Sequence, residues 1–258
     1  MSDNIIKSFS AIILAFVVFI NSIGNFIGIG DIIPTQPEET TEIAEVLSWE
    51  KEEIVEYFNT AINSAKSKSK SITSNYMKHD VAGDITGLPA SISLIGQSLI
   101  KDNMGEDEKM KNVTWTSASD KNAYFPVEGQ TWASQLTVDD VKSATVHESN
   151  GKYIITVTTK DDSRSENHKH GVGHAPKAFN VVLPEIVMDN IPAAAMNVIA
   201  IGAVATSYPA STIKVIVDSE TGNVLNANYL LYWTMYIPMN GEDIVLPFST
   251  ESDYTINW

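Results

Sequence analysis

Four side chains that could do chemistry crowd one short polar segment: Glu166, His168, His170 and His174, in ENHKHGVGH. Neutral imidazole suits zinc or copper, and three imidazoles with one carboxylate could make a site. Alternate residues of a strand point to one side, so His168 and His170 could converge. The surrounding sequence argues the other way. It is glycine-rich, nothing in it orders a loop, and Lys169 and Lys177 place cations among the ligands. The weight falls on a solvated loop, and no metal ligand is assigned.

The remaining candidates are weaker. Carboxylates sit side by side at Asp139-Asp140, Asp161-Asp162 and Glu242-Asp243. Glycoside hydrolysis needs two carboxyls facing each other across a cleft, so adjacent pairs read as turn chemistry. The acidic run 102–108 lacks the ordered spacing of a calcium loop. Gly96-Gln97-Ser98 lacks the second glycine of a nucleophile elbow. Gly171-x-Gly173 has neither a third glycine nor a strand–helix context. The chain contains no cysteine, which removes thiol catalysis and thiolate metal sites. No catalytic residue and no cofactor is assigned, and a non-enzymatic protein is expected.

Aromatic residues carry more information. Tyr229, Tyr232, Trp233 and Tyr236 crowd one segment with strand alternation. Tyr232 and Tyr236 fall on one face with Leu230, and Trp233 on the other with Leu231 and Tyr229. A strand apolar on both faces is either buried on both sides or lines a ligand cavity. Tyr232, Trp233 and Tyr236, with Phe58 from a preceding helix, are therefore the residues expected to meet an apolar ligand.

Positioning these residues requires a particular set of elements. Ser48 reads as an N-cap, followed by acids that suit a helix dipole. Ile54, Phe58, Ala61, Ile62 and Ala65 recur at helical spacing, predicting a helix over 49–66. A strand is expected over 70–79, a turn over 84–90 and a second helix over 88–99. Residues 101–112 read as a charged surface loop, with strand-like pieces around Thr114 and Tyr124. Thr137 begins a short capped turn. Asn150-Gly151 between alternating segments is a strong hairpin signal, because both turn positions want positive φ. The polar loop 161–177 follows, then a short helix around 185–190. A second hairpin turns at 219–222, and Asn240-Gly241 makes a further turn before the alternating terminal segment. Sequential hairpins give an antiparallel sheet. The expected class is α+β, with a curved sheet of about seven strands packed on two or three helices and an N-terminal membrane helix before it.

That membrane element spans residues 9–29. No charged residue occurs from position 8 to 30. As a helix those residues would be about 34 Å long, enough to cross a hydrocarbon core. The unbroken apolar run is only 11–20, the length of a signal-peptide core. Both a signal anchor and a cleaved signal peptide remain open over residues 1–31. Lys7 precedes the run and only acids follow until Lys51, so the bulk of the chain is expected outside. Residues 32–47, with Pro34 and Pro37 among acids and threonines, read as a spacer. Residues 48–258 form the exported domain, large enough to bury a core without staples.

Net charge is −15 and Arg164 is the only arginine. Nucleic acid binding requires a cationic footprint, so nucleic acid is excluded as a partner. The expected partners are a membrane through residues 9–29 and an apolar small ligand or an envelope protein.

Three pieces of the chain carry a resemblance: EEIVEYFNTAINSAKS, LTVDDVKSATVHESNGKYIITVTTKDD, and VDSETGNV with the terminal YTINW. Together they resemble uncharacterised membrane-anchored exported proteins of Gram-positive gut bacteria over most of residues 49–258. The resemblance implies a shared architecture and no particular activity. In pattern alone, a leading amphipathic helix followed by long hairpins is similar to the lipoprotein-carrier half-barrels, which implies a curved sheet around an apolar groove. VDSETGNV is also similar to a hairpin of exported peptidase-propeptide modules, a common turn in which Gly222 supplies the left-handed residue. The leading function expected is a non-enzymatic binding module for an apolar or amphipathic ligand. The alternatives are an envelope interaction or structural domain and, behind both, a metal-dependent protein using the loop from His168 to His174.

Overall fold

The computed structural model describes residues 45–46, 48–88, 93–102, 104–190, 202–239 and 241–258. The expected membrane element at 9–29 lies outside the described residues, as does nearly all of the spacer. Among the described residues, no helix is long and apolar enough to cross a membrane.

Among the described residues, eleven strands form one antiparallel sheet, more than the seven expected. They are β1 (Glu45–Val46), β2 (Ser71–Val81), β3 (Gly105–Glu106), β4 (Val113–Trp115), β5 (Val141–Ser149) and β6 (Lys152–Thr159). The rest are β7 (Asp162–Ser165), β8 (Ala205–Tyr208), β9 (Thr212–Asp218), β10 (Val224–Met239) and β11 (Glu242–Asn257). Their order is β1-β5-β6-β9-β10-β11-β2-β3, with β4 on β2, β8 on β10 and β7 on β8. The extra strands are short pieces of two to four residues. Pieces that short show no alternation in sequence, and their partners create them. β3 and β4, for example, lie end to end along the same edge of β2.

The hairpins are where their turn chemistry puts them. Asn150 (φ 52°) and Gly151 (φ 68°) join β5 to β6. Asp218 closes the β9–β10 turn, its carboxylate accepting the Thr221 backbone N–H at 2.8 Å and hydroxyl at 2.6 Å. β10 and β11 form the longest pairing, from Asn226↔Thr255 to Met239↔Glu242. In the loop after β2, Gly87 (φ 78°) sits where a Cβ would meet the Asp243 carbonyl at 1.9 Å. Only glycine lets this turn lie against β11.

Helix α1 (Lys51–Lys68) covers one region of the inner sheet face with Ile54, Val55, Phe58, Ala61, Ile62 and Ala65. Its first turn is closed by Glu53, whose carboxylate accepts the Glu50 N–H at 2.9 Å, and not by Ser48 as the sequence suggested. Helix α2 (Ser93–Asp102) overlaps the helix expected over 88–99, of which residues 89–92 lie outside the described residues. Helix α3 (Ala118–Tyr124) lies where a strand-like piece was expected around Tyr124. Ser117 explains this: its hydroxyl accepts the Asp120 N–H at 3.0 Å, an N-cap the alternation reading overlooked. Helix α4 (Pro184–Asn190) matches expectation. Alternate residues of β9, β10 and β11 are buried beneath these elements, among them Ile213, Val215, Leu231, Met235, Leu246 and Tyr254.

Candidate functional site

A bulge decides what the inner face presents. β2 pairs with β11 in regular register from Ser71 to Ser74, and the register shifts between Asp253 and Tyr254. Asn75 is the extra residue, so parity reverses along β2. Before it, Ile72 and Ser74 are buried on the inner face. After it, Met77 and His79 point inward, while Tyr76 turns outward and donates to Glu251 at 2.7 Å.

Met77 and His79 join Tyr229 and Leu231 of β10 and Thr250, Ser252 and Tyr254 of β11 to floor a groove of about 670 Å³. Its walls are Asp107 and Met110 after β3, Val113 and Trp115 of β4, and Tyr124, Pro126 and Glu128 after α3. Phe179, Val181, Val182 and Ile186 close another side. The aromatic rings are locked against one another, two pairs edge to face and one stacked, which fixes the groove's shape. Phe125 meets Tyr254 at 5.0 Å, Phe179 meets Tyr229 at 5.7 Å, and Trp115 stacks on Tyr124 at 5.5 Å. The volume falls in the range of small-ligand sites, and the lining is apolar with a few polar groups.

Those polar groups gather beside β3. The Asp107 N–H donates to the Met77 carbonyl at 2.7 Å, which places Asp107 beside Met77 and on the inner face. Asp107 is 6% exposed, and its Oδ1 accepts the Lys109 N–H at 2.9 Å. Thr250 Oγ1 lies 3.0 Å from His79 Nδ1 and 3.3 Å from Trp233 Nε1. Indole can only donate, so the Thr250 hydroxyl accepts from Trp233, and toward His79 Nδ1 it donates or accepts a second time according to the imidazole tautomer. Burial lowers the His79 pKa, opposed by the charges of Asp107 and Asp80, which favours the neutral ring. The hydroxyls of Tyr229 and Tyr254 are buried without a hydrogen-bond partner, and burial raises both phenol pKa values.

The groove wall rests on a buried cation. Lys66 of α1 is 1% exposed and its ammonium donates to the carbonyls of Phe125 (2.9 Å), Val127 (2.7 Å) and Trp132 (3.2 Å). Burial draws its pKa down to about 7, with Glu128 pulling the other way. Glu128 is solvent-exposed at the groove, and desolvation by the surrounding wall raises its pKa against the pull of Lys66.

The residues singled out in the sequence lie mostly elsewhere. Trp233 is on the inner face but packs on Phe248 at 4.7 Å, touching the groove only through Thr250. Phe58 is fully buried under α1. Tyr232 and Tyr236 are on the outer face. Tyr232 is 38% exposed, and the Tyr236 ring lies 4.6 Å beneath the Arg164 guanidinium. The expectation that β10 is apolar-lined on both faces is corrected: its outer face is half-exposed and polar-rimmed, with Arg164 also paired to Asp243. The aromatics that do line the groove are Tyr229 and Tyr254, with Trp115, Tyr124 and Phe179 from separate segments. Separate segments leave no local spacing to find.

The histidine loop is dispersed. His168 Nδ1 lies 3.0 Å from Thr206 Oγ1 with its ring against Tyr208, and His170 Nδ1 is buried without a partner. His174 bonds Asp140 Oδ1 at 2.8 Å, and Lys177 bonds both Asp140 oxygens at 2.8 Å. Burial would raise the Asp140 pKa, but Lys177, Thr137 and His174 outweigh it and hold it at about 2. Asp162 accepts the backbone N–H groups of His174 and Ala175. These acids anchor the loop through long-range contacts, and Asp140 alone also closes its own turn by accepting the Thr137 N–H and hydroxyl at 2.8 Å. Among the described residues, no three His, Asp or Glu side chains converge to hold a metal ion.

No family model, curated protein or solved structure matches the chain.

Proposed function

We propose that this chain is a non-enzymatic binding module whose curved sheet cradles an apolar or amphipathic ligand in the groove over β2, β10 and β11. The observation that carries this reading is the groove itself, about 670 Å³ of space on the inner face, lined by aromatic, methionine and branched side chains. Such a lining would be filled by protein if it served only as core. The lining residues are held by ring packing and by Lys66, so the site is preformed and binding orders little. A tether through residues 9–29 would hold the domain outside a membrane, where amphiphiles are at hand.

The test is a titration of the full chain with N-phenylnaphthylamine, an uncharged apolar dye that brightens in dry surroundings. Saturable brightening is expected, and Met110→Trp, which places bulk in the groove, should weaken it about tenfold or more. Brightening that fails to saturate, or that Met110→Trp leaves unchanged, overturns the reading. Protease shaving of intact cells tests the outward placement: loss of residues 48–258 is expected, and full protection sinks it.

A further inference from the structure

The groove has one polar end, and its chemistry selects among amphiphiles. This inference rests on the binding-module reading and goes further by naming the head group. Two groups define the end. Asp107 is almost wholly buried, lines the groove, and has only one oxygen in a hydrogen bond among the described residues. Its second oxygen is left as an acceptor. His79 points into the same groove with Nδ1 committed to Thr250, and Nε2 has no partner among the described residues. The neutral ring carries one proton, so Nε2 is a donor in one tautomer and an acceptor in the other. The pairing of β2 with β3 brings the two side chains onto one face, with Asp107 opposite Met77 and His79 opposite Gly105.

The two groups discriminate among three kinds of head group. A carboxylate or phosphate brings acceptors only and would set its charge against Asp107, with Glu128 also on the lining. Lys109 is the one cation among the lining residues and it is exposed, so water screens it. An ammonium brings donors only, which meets Asp107 but serves His79 in just one of its two tautomers. A head group with several hydroxyls both donates and accepts, so it meets Asp107 and His79 in either tautomer. Leaving a buried polar group unmatched costs binding, so the hydroxyl is selected.

We propose that the groove takes an amphiphile with an uncharged, hydroxyl-bearing head group seated between Asp107 and His79. Acylglycerols and glycolipids share this chemistry, and the apolar chain would lie along Leu231, Tyr229 and Trp115.

The experiment compares three probes of equal chain on the full protein by calorimetry below their micelle concentrations: dodecyl maltoside, dodecanoate and dodecyltrimethylammonium. Dodecyl maltoside should bind about tenfold tighter than either charged probe. Asp107→Asn, which keeps shape and removes the charge, should raise dodecanoate affinity and so narrow that gap. His79→Phe should weaken dodecyl maltoside several-fold and leave dodecyltrimethylammonium unchanged. Circular dichroism of each variant should match the parent. A monoglyceride arm then separates a glycerol head from a sugar head. If either charged probe binds as tightly as dodecyl maltoside, or if neither variant narrows the gap, the head-group assignment is overturned while the groove reading stands. If no dodecyl probe binds saturably, both fall.

Discussion

Over β5, β6 and β9 the inner sheet face is sealed by α1. Over β2 and β11 it is left open as a groove, although the same long β10 runs through both regions. The sealed region uses Ile, Val, Ala and Phe at helical and strand spacing, and these interdigitate to fill the space. The open region uses rings, methionines and a few polar groups. Rings locked edge to face hold a wall without filling it. Lys66 sits at the seam, on the sealing helix, with its ammonium in the groove wall. The contrast teaches that the groove is a consequence of what the helix does not reach, and that one buried cation ties the two regions together.

Five measurements on four residues would break or sharpen this contrast. The largest effect belongs to the sealed region: Phe58→Ala should cost about 4 kcal/mol in urea unfolding, because the cavity cannot collapse under a rigid helix. A cost below that of a surface change would mean α1 is not the seal. At the seam, Lys66→Met should cost about 3 kcal/mol by leaving three buried carbonyls unpaired, and should also loosen dye binding. Lys66 carries a second signature. Its folded pKa is lowered to about 7, so between about pH 7 and its ordinary value the unfolded chain holds a proton that the fold does not. Stability should therefore rise with pH through that window, and Lys66→Met should lose the slope.

Away from both regions, Asp140 offers a smaller effect of the same sign in a more acidic window. Its folded pKa is depressed to about 2, so its contribution is present above about pH 4 and lost as pH falls toward 2. About 2 kcal/mol should disappear across that window, and Asp140→Asn should flatten it. Smallest is Met77→Ala in the groove, at about 1 kcal/mol, because an open site loses contacts without gaining a sealed void. A loss as large as that of Phe58→Ala would show that the groove is closed core.

Much of the sealed region was legible in the sequence. The helical spacing from Ile54 to Ala65 and the Asn150-Gly151 turn are local signals, and local signals survive being read one segment at a time. The loop around His168 was legible as composition and misleading as a cluster, since His168 meets Thr206 and Tyr208, His174 meets Asp140, and His170 Nδ1 is buried without a partner. The groove was hardly legible. Tyr232 and Tyr236 were natural candidates because they crowd one strand with Trp233. Yet alternation alone cannot say which face of β10 another element will cover, and the outer face stays open to water.

The sequence by itself determined the charge, the absence of thiol chemistry, the hairpin turns, the leading helix and the α+β class. Each follows from composition or from a period within a few residues. The tertiary structure alone decided the groove. Asn75 reverses the parity of β2 only because β11 fixes the register on either side of it. That reversal turns His79 toward Thr250 and sets it on one face with Asp107, residues that lie far apart along the chain. Bulges and close approaches of distant segments arise from pairing energies summed over two strands, and neither strand's sequence contains them.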